Sequence, residues 1–109
     1  MNRDDDIARL SRAPDWRATL MILESAFAMD SRVWMHVDLG REEISFRGIL
    51  DDCTFSSGER TLLSVAASLF NRDHSINLWD VLNRLDDTNS ALVLNAIQSF
   101  VDEVGAACR

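Results

Sequence analysis

The first strong pattern along the chain is a helical spacing of apolar residues. Four of them fall at i, i+4, i+7 and i+11, which places them on one face of a helix: Trp16, Leu20, Leu23 and Phe27. Pro14 suits the first turn of such a helix, because its missing N–H costs no hydrogen bond there. The pattern predicts a largely buried helix over residues 14–29, ended by Asp30-Ser31.

The period of the pattern then changes to two. Apolar residues at 33, 35, 37 and 39 alternate with Trp34, His36 and Asp38, and a similar alternation runs through residues 44–47. Gly40-Arg41-Glu42 lies between the two runs and is typical of a turn. A helix through the same region also fits a period of 3.6. The β-branched residues and Gly40 favour a hairpin that pairs residues 33–39 with residues 43–49.

Three helical patterns follow, from residue 55 to residue 104. Ser56 and Glu59 have the spacing of a capping box, Asn77 can cap a second helix, and Asp86 or Asp87 a third. Asn71 is expected to end the first helix in the left-handed conformation, and Gly105 to follow the last one. The side chains predicted to point inward are Leu62, Leu63, Ala66, Leu69 and Phe70, then Leu78, Val81, Leu82 and Leu85, and finally Val93, Ala96, Ile97, Phe100 and Val104.

Together these patterns predict an α+β fold, with an N-terminal helix, a β-hairpin and then three C-terminal helices. An all-α fold is the alternative. Residues 1–12 form a polar N-terminal segment, and residues 13–109 are predicted to be a single globular domain, since no linker or repeat interrupts them.

The charge of the chain restricts its partners. The formal net charge is −7 and the pI is near 4.6, so long-range attraction to nucleic acid or anionic lipid is disfavoured. A basic protein surface is favoured instead. All eleven basic residues are Arg, and the absence of Lys removes Schiff-base and phosphate-loop lysines from consideration.

A helix-turn-helix spacing covers residues 78–104, with the turn at residues 86–88. In a DNA reader the second helix would enter the major groove. Here that helix carries neither Arg nor Lys, and only Arg72 and Arg84 could contact phosphates from outside it. We therefore expect no nucleic-acid partner, and keep a helix-turn-helix-like DNA-binding or transcription-associated domain as the alternative function.

The segment from Ser56 to Leu63 resembles the signature segment of ABC-type and SMC-type ATPases. The capping box accounts for its Ser-Ser-Gly-Glu run in purely structural terms. The GxxxxGK[ST] phosphate loop of those enzymes does not occur in the sequence, so the chain cannot be a self-sufficient ATPase and is not assigned to that family.

Residues that could carry catalysis or bind a metal are scattered. His36 and His74 lie 38 positions apart, and neither has a partner at metal-ligand spacing. Cys53 follows two carboxylates, and their negative field disfavours a reactive thiolate. We therefore expect no enzyme activity, no cofactor and no metal.

The remaining features indicate a protein-binding role. We expect a small acidic regulator or inhibitor, antitoxin-like or of phage type, that binds a basic partner surface. The predicted contact residues are Trp34 and His36 on the outer face of the hairpin and the acidic pairs Asp51, Asp52, Asp86 and Asp87. A homodimer through the last helix is compatible with the pattern. No signal peptide or membrane span is visible, which predicts a cytoplasmic protein with reduced thiols.

Overall fold

The computed structural model describes residues 3–107, and for residues 103–107 the backbone alone. In chain order the elements of this part are α1 (Arg3–Leu10), α2 (Pro14–Ala26), α3 (Ser31–Trp34), β1 (Val37–Asp38), β2 (Glu43–Ile44), α4 (Phe46–Leu50), α5 (Ser57–Phe70), α6 (Leu78–Arg84) and α7 (Asp87–Ala107). The predicted α+β class is confirmed, and the all-α alternative is not needed.

The hairpin exists but is shorter than predicted. β1 and β2 pair antiparallel with Val37 opposite Ile44 and Asp38 opposite Glu43. The residues on either side, predicted as strand, are the short helices α3 and α4. Asp30 accepts a hydrogen bond from Arg32 N, and Ser45 accepts one from Gly48 N, so each side chain caps a helical turn where the alternation predicted a strand.

Helix boundaries were predicted well at N-termini and poorly at C-termini. The capping box at Ser56 and Glu59 is formed as expected. Asn71 is extended, with φ −129° and ψ 111°, so the expected left-handed end of α5 was wrong. The predicted first helix ends at Ala26 rather than near residue 29, and α7 continues through Gly105 to Ala107.

The core lies where α2 packs against α5 and α7. The four residues of the predicted α2 face are all buried, as are Val93 and Ala96 of α7. Ile97 was also expected to point inward but is 38% exposed, and the side chain of Val104 lies outside the described part. A second, smaller cluster of Leu10, Trp16 and Leu20 attaches α1 to α2. The polar N-terminal segment therefore contributes a helix that packs on the domain.

Helix α6 departs most from the sequence prediction. Leu78 and Leu82 were expected to point inward, but each is 64% exposed, and Val81 is the only buried side chain of the helix. α6 packs on α5, whereas α7 packs mainly on α2. Helices α6 and α7 have almost no contact with each other. The helix-turn-helix spacing thus does not produce a packed helix pair.

None of the helices within residues 3–107 combines the length and the apolar content that a membrane span requires.

Candidate partner-binding surface

Trp34, the predicted anchor, is half-buried at the end of α3 rather than exposed on a strand. Its indole Nε1 donates a 2.7 Å hydrogen bond to the carbonyl of Phe27. The guanidinium of Arg3 lies 3.8 Å from the centre of the ring, and the same guanidinium donates to the carbonyl of Ala28. These contacts make Trp34 a structural link between α1, α2 and α3.

His36 is also half-buried and lies beside Trp34. Its carbonyl accepts from Ser45 N, which extends the hairpin ladder by one hydrogen bond. Its ring packs against Gly48 so closely that a Cβ at that glycine would lie 2.5 Å from Nδ1. His36 and Trp34 share an open hollow of about 870 Å³ whose rim includes Arg3, Asp38 and Glu43.

The first acidic pair lies in the connection between α4 and α5. Asp51 is exposed at the end of α4, whereas Asp52 is half-buried. The Asp52 carboxylate accepts hydrogen bonds from the hydroxyl and the backbone N–H of Thr54, and these bonds lower its pKa. Its backbone carbonyl accepts from Arg60 Nη1. Asp52 therefore shapes this loop, and only Asp51 presents a carboxylate freely to solvent.

The second acidic pair begins α7. The Asp86 carboxylate accepts from Asn89 N at 2.8 Å, so Asp86 is the helix cap that the sequence predicted. Asp87 is exposed in the first turn, where a carboxylate is favoured by the helix dipole. Both carboxylates lie at the end of the segment that carries α6.

The structure thus brings the six predicted residues together only in pairs. Trp34 and His36 share a hollow, Asp51 and Asp52 share a loop, and Asp86 and Asp87 share a helix start. Trp34, Asp52 and Asp86 each form a side-chain hydrogen bond within the chain. Asp86 and Asp87 differ from the other two pairs because they follow α6, the helix with the most exposed apolar side chains in its length.

That surface, which we call the α6 surface, consists of Leu78, Trp79 and Leu82. Trp79 is 73% exposed, the most exposed of the three. The sequence prediction missed this surface because it assigned the inward face of the helix to a regularly spaced set of residues, Leu78, Val81, Leu82 and Leu85. Trp79 does not belong to that set. The available signal was composition: seven residues of α6 include four apolar ones, more than a single buried stripe on so short a helix requires.

The charges around the α6 surface are mainly negative. Asp80, Asp86 and Asp87 oppose only Arg84 between residues 77 and 88, which gives this segment a net charge of −2. Among the described residues no group of His, Cys and carboxylate side chains could hold a metal ion. Cys53 is an exposed free thiol in the α4–α5 loop.

Comparison with protein-family models, with curated proteins and with solved structures gave no significant match to any of them.

Proposed function

We propose that this chain is a non-enzymatic protein-interaction module, a regulator or inhibitor that binds a basic partner surface through the α6 surface. The observation that carries the proposal is the 73% exposure of Trp79 on a helix with one buried side chain. Exposed tryptophans next to other large apolar side chains are typical anchors of protein interfaces.

The packing of α6 through a single fully buried side chain supports this assignment. A seven-residue helix is too short to be stable by itself in water and depends on packing for its stability. α6 packs on α5 through Val81, while Leu78, Trp79 and Leu82 remain in solvent. A partner that covers these three side chains would supply the burial that the helix lacks within the chain.

The charge around α6 supports a basic partner. Asp86 and Asp87 follow the helix after one intervening residue, Leu85, and Asp80 lies within it. Carboxylates at the rim of an apolar patch steer basic partners and set orientation more than they add affinity. We accordingly move the proposed anchor from Trp34, which is held by Phe27 and Arg3, to Trp79, and retain Asp86 and Asp87 as contact residues. We expect the protein to act in the cytoplasm.

The proposal is tested by affinity capture from the native host with the full-length chain and three variants. Trp79→Ala removes the anchor, Asp86→Asn with Asp87→Asn removes two charges while keeping an N-cap side chain, and Met29→Ala is the control. Met29 is 93% exposed, so it matches Trp79 as an exposed apolar residue but lies in a different part of the molecule, between α2 and α3.

We expect the wild type and Met29→Ala to retain a stoichiometric basic protein that Trp79→Ala fails to retain. The Asn variant should release that protein at lower salt, because its electrostatic contribution is reduced. Equal retention by Trp79→Ala would refute the α6 surface as the binding site. Recovery of nuclease-sensitive DNA by every variant would instead favour the DNA-binding alternative.

A further inference from the structure

A second exposed apolar surface lies on α7 and differs in character from the α6 surface. Leu94, Ile97 and Val101, which we call the α7 stripe, are 64%, 38% and 55% exposed. Their spacing of three and four residues puts them on one side of the helix. This side adjoins the face that Val93 and Ala96 bury against the body of the molecule.

The charge pattern indicates which kind of molecule would cover this stripe. Residues 88–101 include no charged residue, and these fourteen positions form the longest uncharged run in a chain of net charge −7. A basic partner would find carboxylates only at the two ends of the run, at Asp87 and Asp102. A second copy of this acidic chain, by contrast, would meet repulsion on most surfaces but not here.

The geometry of α7 also suits pairing with itself. Apolar side chains separated by three and four residues form the seam of two packed helices. Ile97 lies near the middle of the stripe, so a two-fold axis close to it would bring Leu94 of one copy towards Val101 of the other in an antiparallel pair. We infer that the α7 stripe is the interface of a homodimer formed by two copies of this chain.

The area of the stripe determines how strong the association between two copies is expected to be. The stripe runs over eight residues, so it is about 12 Å long and about 10 Å wide and covers on the order of 100 Å². Stable interfaces bury about 800 Å² per partner. The homodimer is therefore expected to be reversible and concentration-dependent rather than obligate.

The test is the mass of the full-length chain in solution, measured by sedimentation equilibrium over about 10 µM to 1 mM, the range of weak reversible association. Leu94→Arg places a charge in the stripe, and Val101→Arg does the same about two turns further on. Asn95→Arg is the matched control, since it adds the same charge at an exposed position on the polar side of α7.

We expect the wild-type mass to rise from 12.3 kDa towards twice that value. Leu94→Arg and Val101→Arg should each weaken the association at least about tenfold, and Asn95→Arg by less than about twofold. Trp79→Ala should associate like the wild type, because the α6 surface is separate. The homodimer is excluded if the wild type stays at 12.3 kDa throughout. Loss of association in Trp79→Ala but not in Leu94→Arg would overturn the assignment to α7.

Discussion

Arg32 and Asp30 form a two-pronged ion pair that connects the start of α3 to the start of α5. Arg32 Nη2 lies 2.6 Å from Asp30 Oδ2, and Nε lies 2.9 Å from Oδ1. The same guanidinium contacts Glu59 of the α5 capping box at 3.4 Å and lies 4.1 Å from the centre of the Phe55 ring. One planar cation thus joins two helix caps, a task that its fixed donor geometry suits.

This pair predicts how stability responds to acid. The hydrogen bonds from Arg32 lower the pKa of Asp30 below its ordinary value of 3.8. A lowered pKa contributes stability that is present above the ordinary value and is lost as the pH falls below it. Asp30→Asn keeps a capping oxygen but no charge. We expect the melting temperature of the wild type to exceed that of Asp30→Asn at pH 7, and this difference in melting temperature to shrink below pH 3.8. A difference that stays constant down to about pH 2 would contradict this linkage.

The contribution of the local sequence explains why α2 and α5 could be predicted. Pro14, Ser56, Glu59 and Asn77 all act within one turn of their own position, so their roles follow from spacing alone. The buried faces of α2 and α5 also follow from periodicity, because both helices are surrounded by other elements.

The same reasoning failed where a local hydrogen bond competed with the alternation pattern. Asp30 and Ser45 start helical turns in a region whose apolar residues alternate, and one capping bond at each site overrides a weak strand preference. It failed again at α6, because periodicity identifies an apolar face but not whether the chain itself covers that face. For this reason the sequence predicts Trp34 as the binding anchor, whereas the structure favours Trp79.

The hairpin tip offers a prediction about backbone strain. Glu42 has φ 58°, the left-handed region that non-glycine residues adopt at a cost, and its carboxylate forms a 2.8 Å ion pair with Arg9. Glu42→Gly and Glu42→Val both remove the ion pair, but only glycine relieves the strain. The valine variant should unfold with a free energy about 1–2 kcal/mol lower than the glycine variant, as measured by urea denaturation. Equal stability of the two would mean that the tip adjusts its backbone.

The hydroxyl of Ser99 suggests a stabilising substitution. Its Oγ is buried and has no hydrogen-bond partner among the described residues. Ser99→Ala should raise the free energy of unfolding by about 1 kcal/mol, since it removes a desolvated hydroxyl and improves helix propensity. Ser64→Ala, in the middle of α5, gains only the propensity, about 0.5 kcal/mol. If the two changes are equal in urea denaturation, the Ser99 hydroxyl carries no desolvation penalty.

Gly48 and His36 form a pair whose effects should depend on each other. A Cβ at Gly48 would lie 2.5 Å from His36 Nδ1 and 2.6 Å from Cε1. Gly48→Ala should therefore lower the free energy of unfolding by about 1 kcal/mol in the wild type, because the ring must shift. In a His36→Ala background the closest remaining contact is Ser45 Oγ at 3.2 Å, so the same substitution should cost much less, and the preference of helix α4 for alanine offsets that cost. A double-mutant cycle measures this coupling, and additive effects would show that the ring moves at no cost.

The α6 surface predicts a separation between stability and binding. Trp79→Ala and Leu82→Ala remove side chains that are 73% and 64% exposed, so each should change the free energy of unfolding by less than about 1 kcal/mol. Leu63→Ala, at a fully buried position of α5, should cost about 3 kcal/mol. Urea denaturation followed by circular dichroism gives all three values without depending on tryptophan emission.

The Trp79→Ala variant should also lose the emission component that acrylamide quenches most readily, because Trp16 is buried and Trp34 half-buried. If Trp79→Ala proves as destabilising as Leu63→Ala, Trp79 belongs to the core and its proposed role as a binding anchor fails.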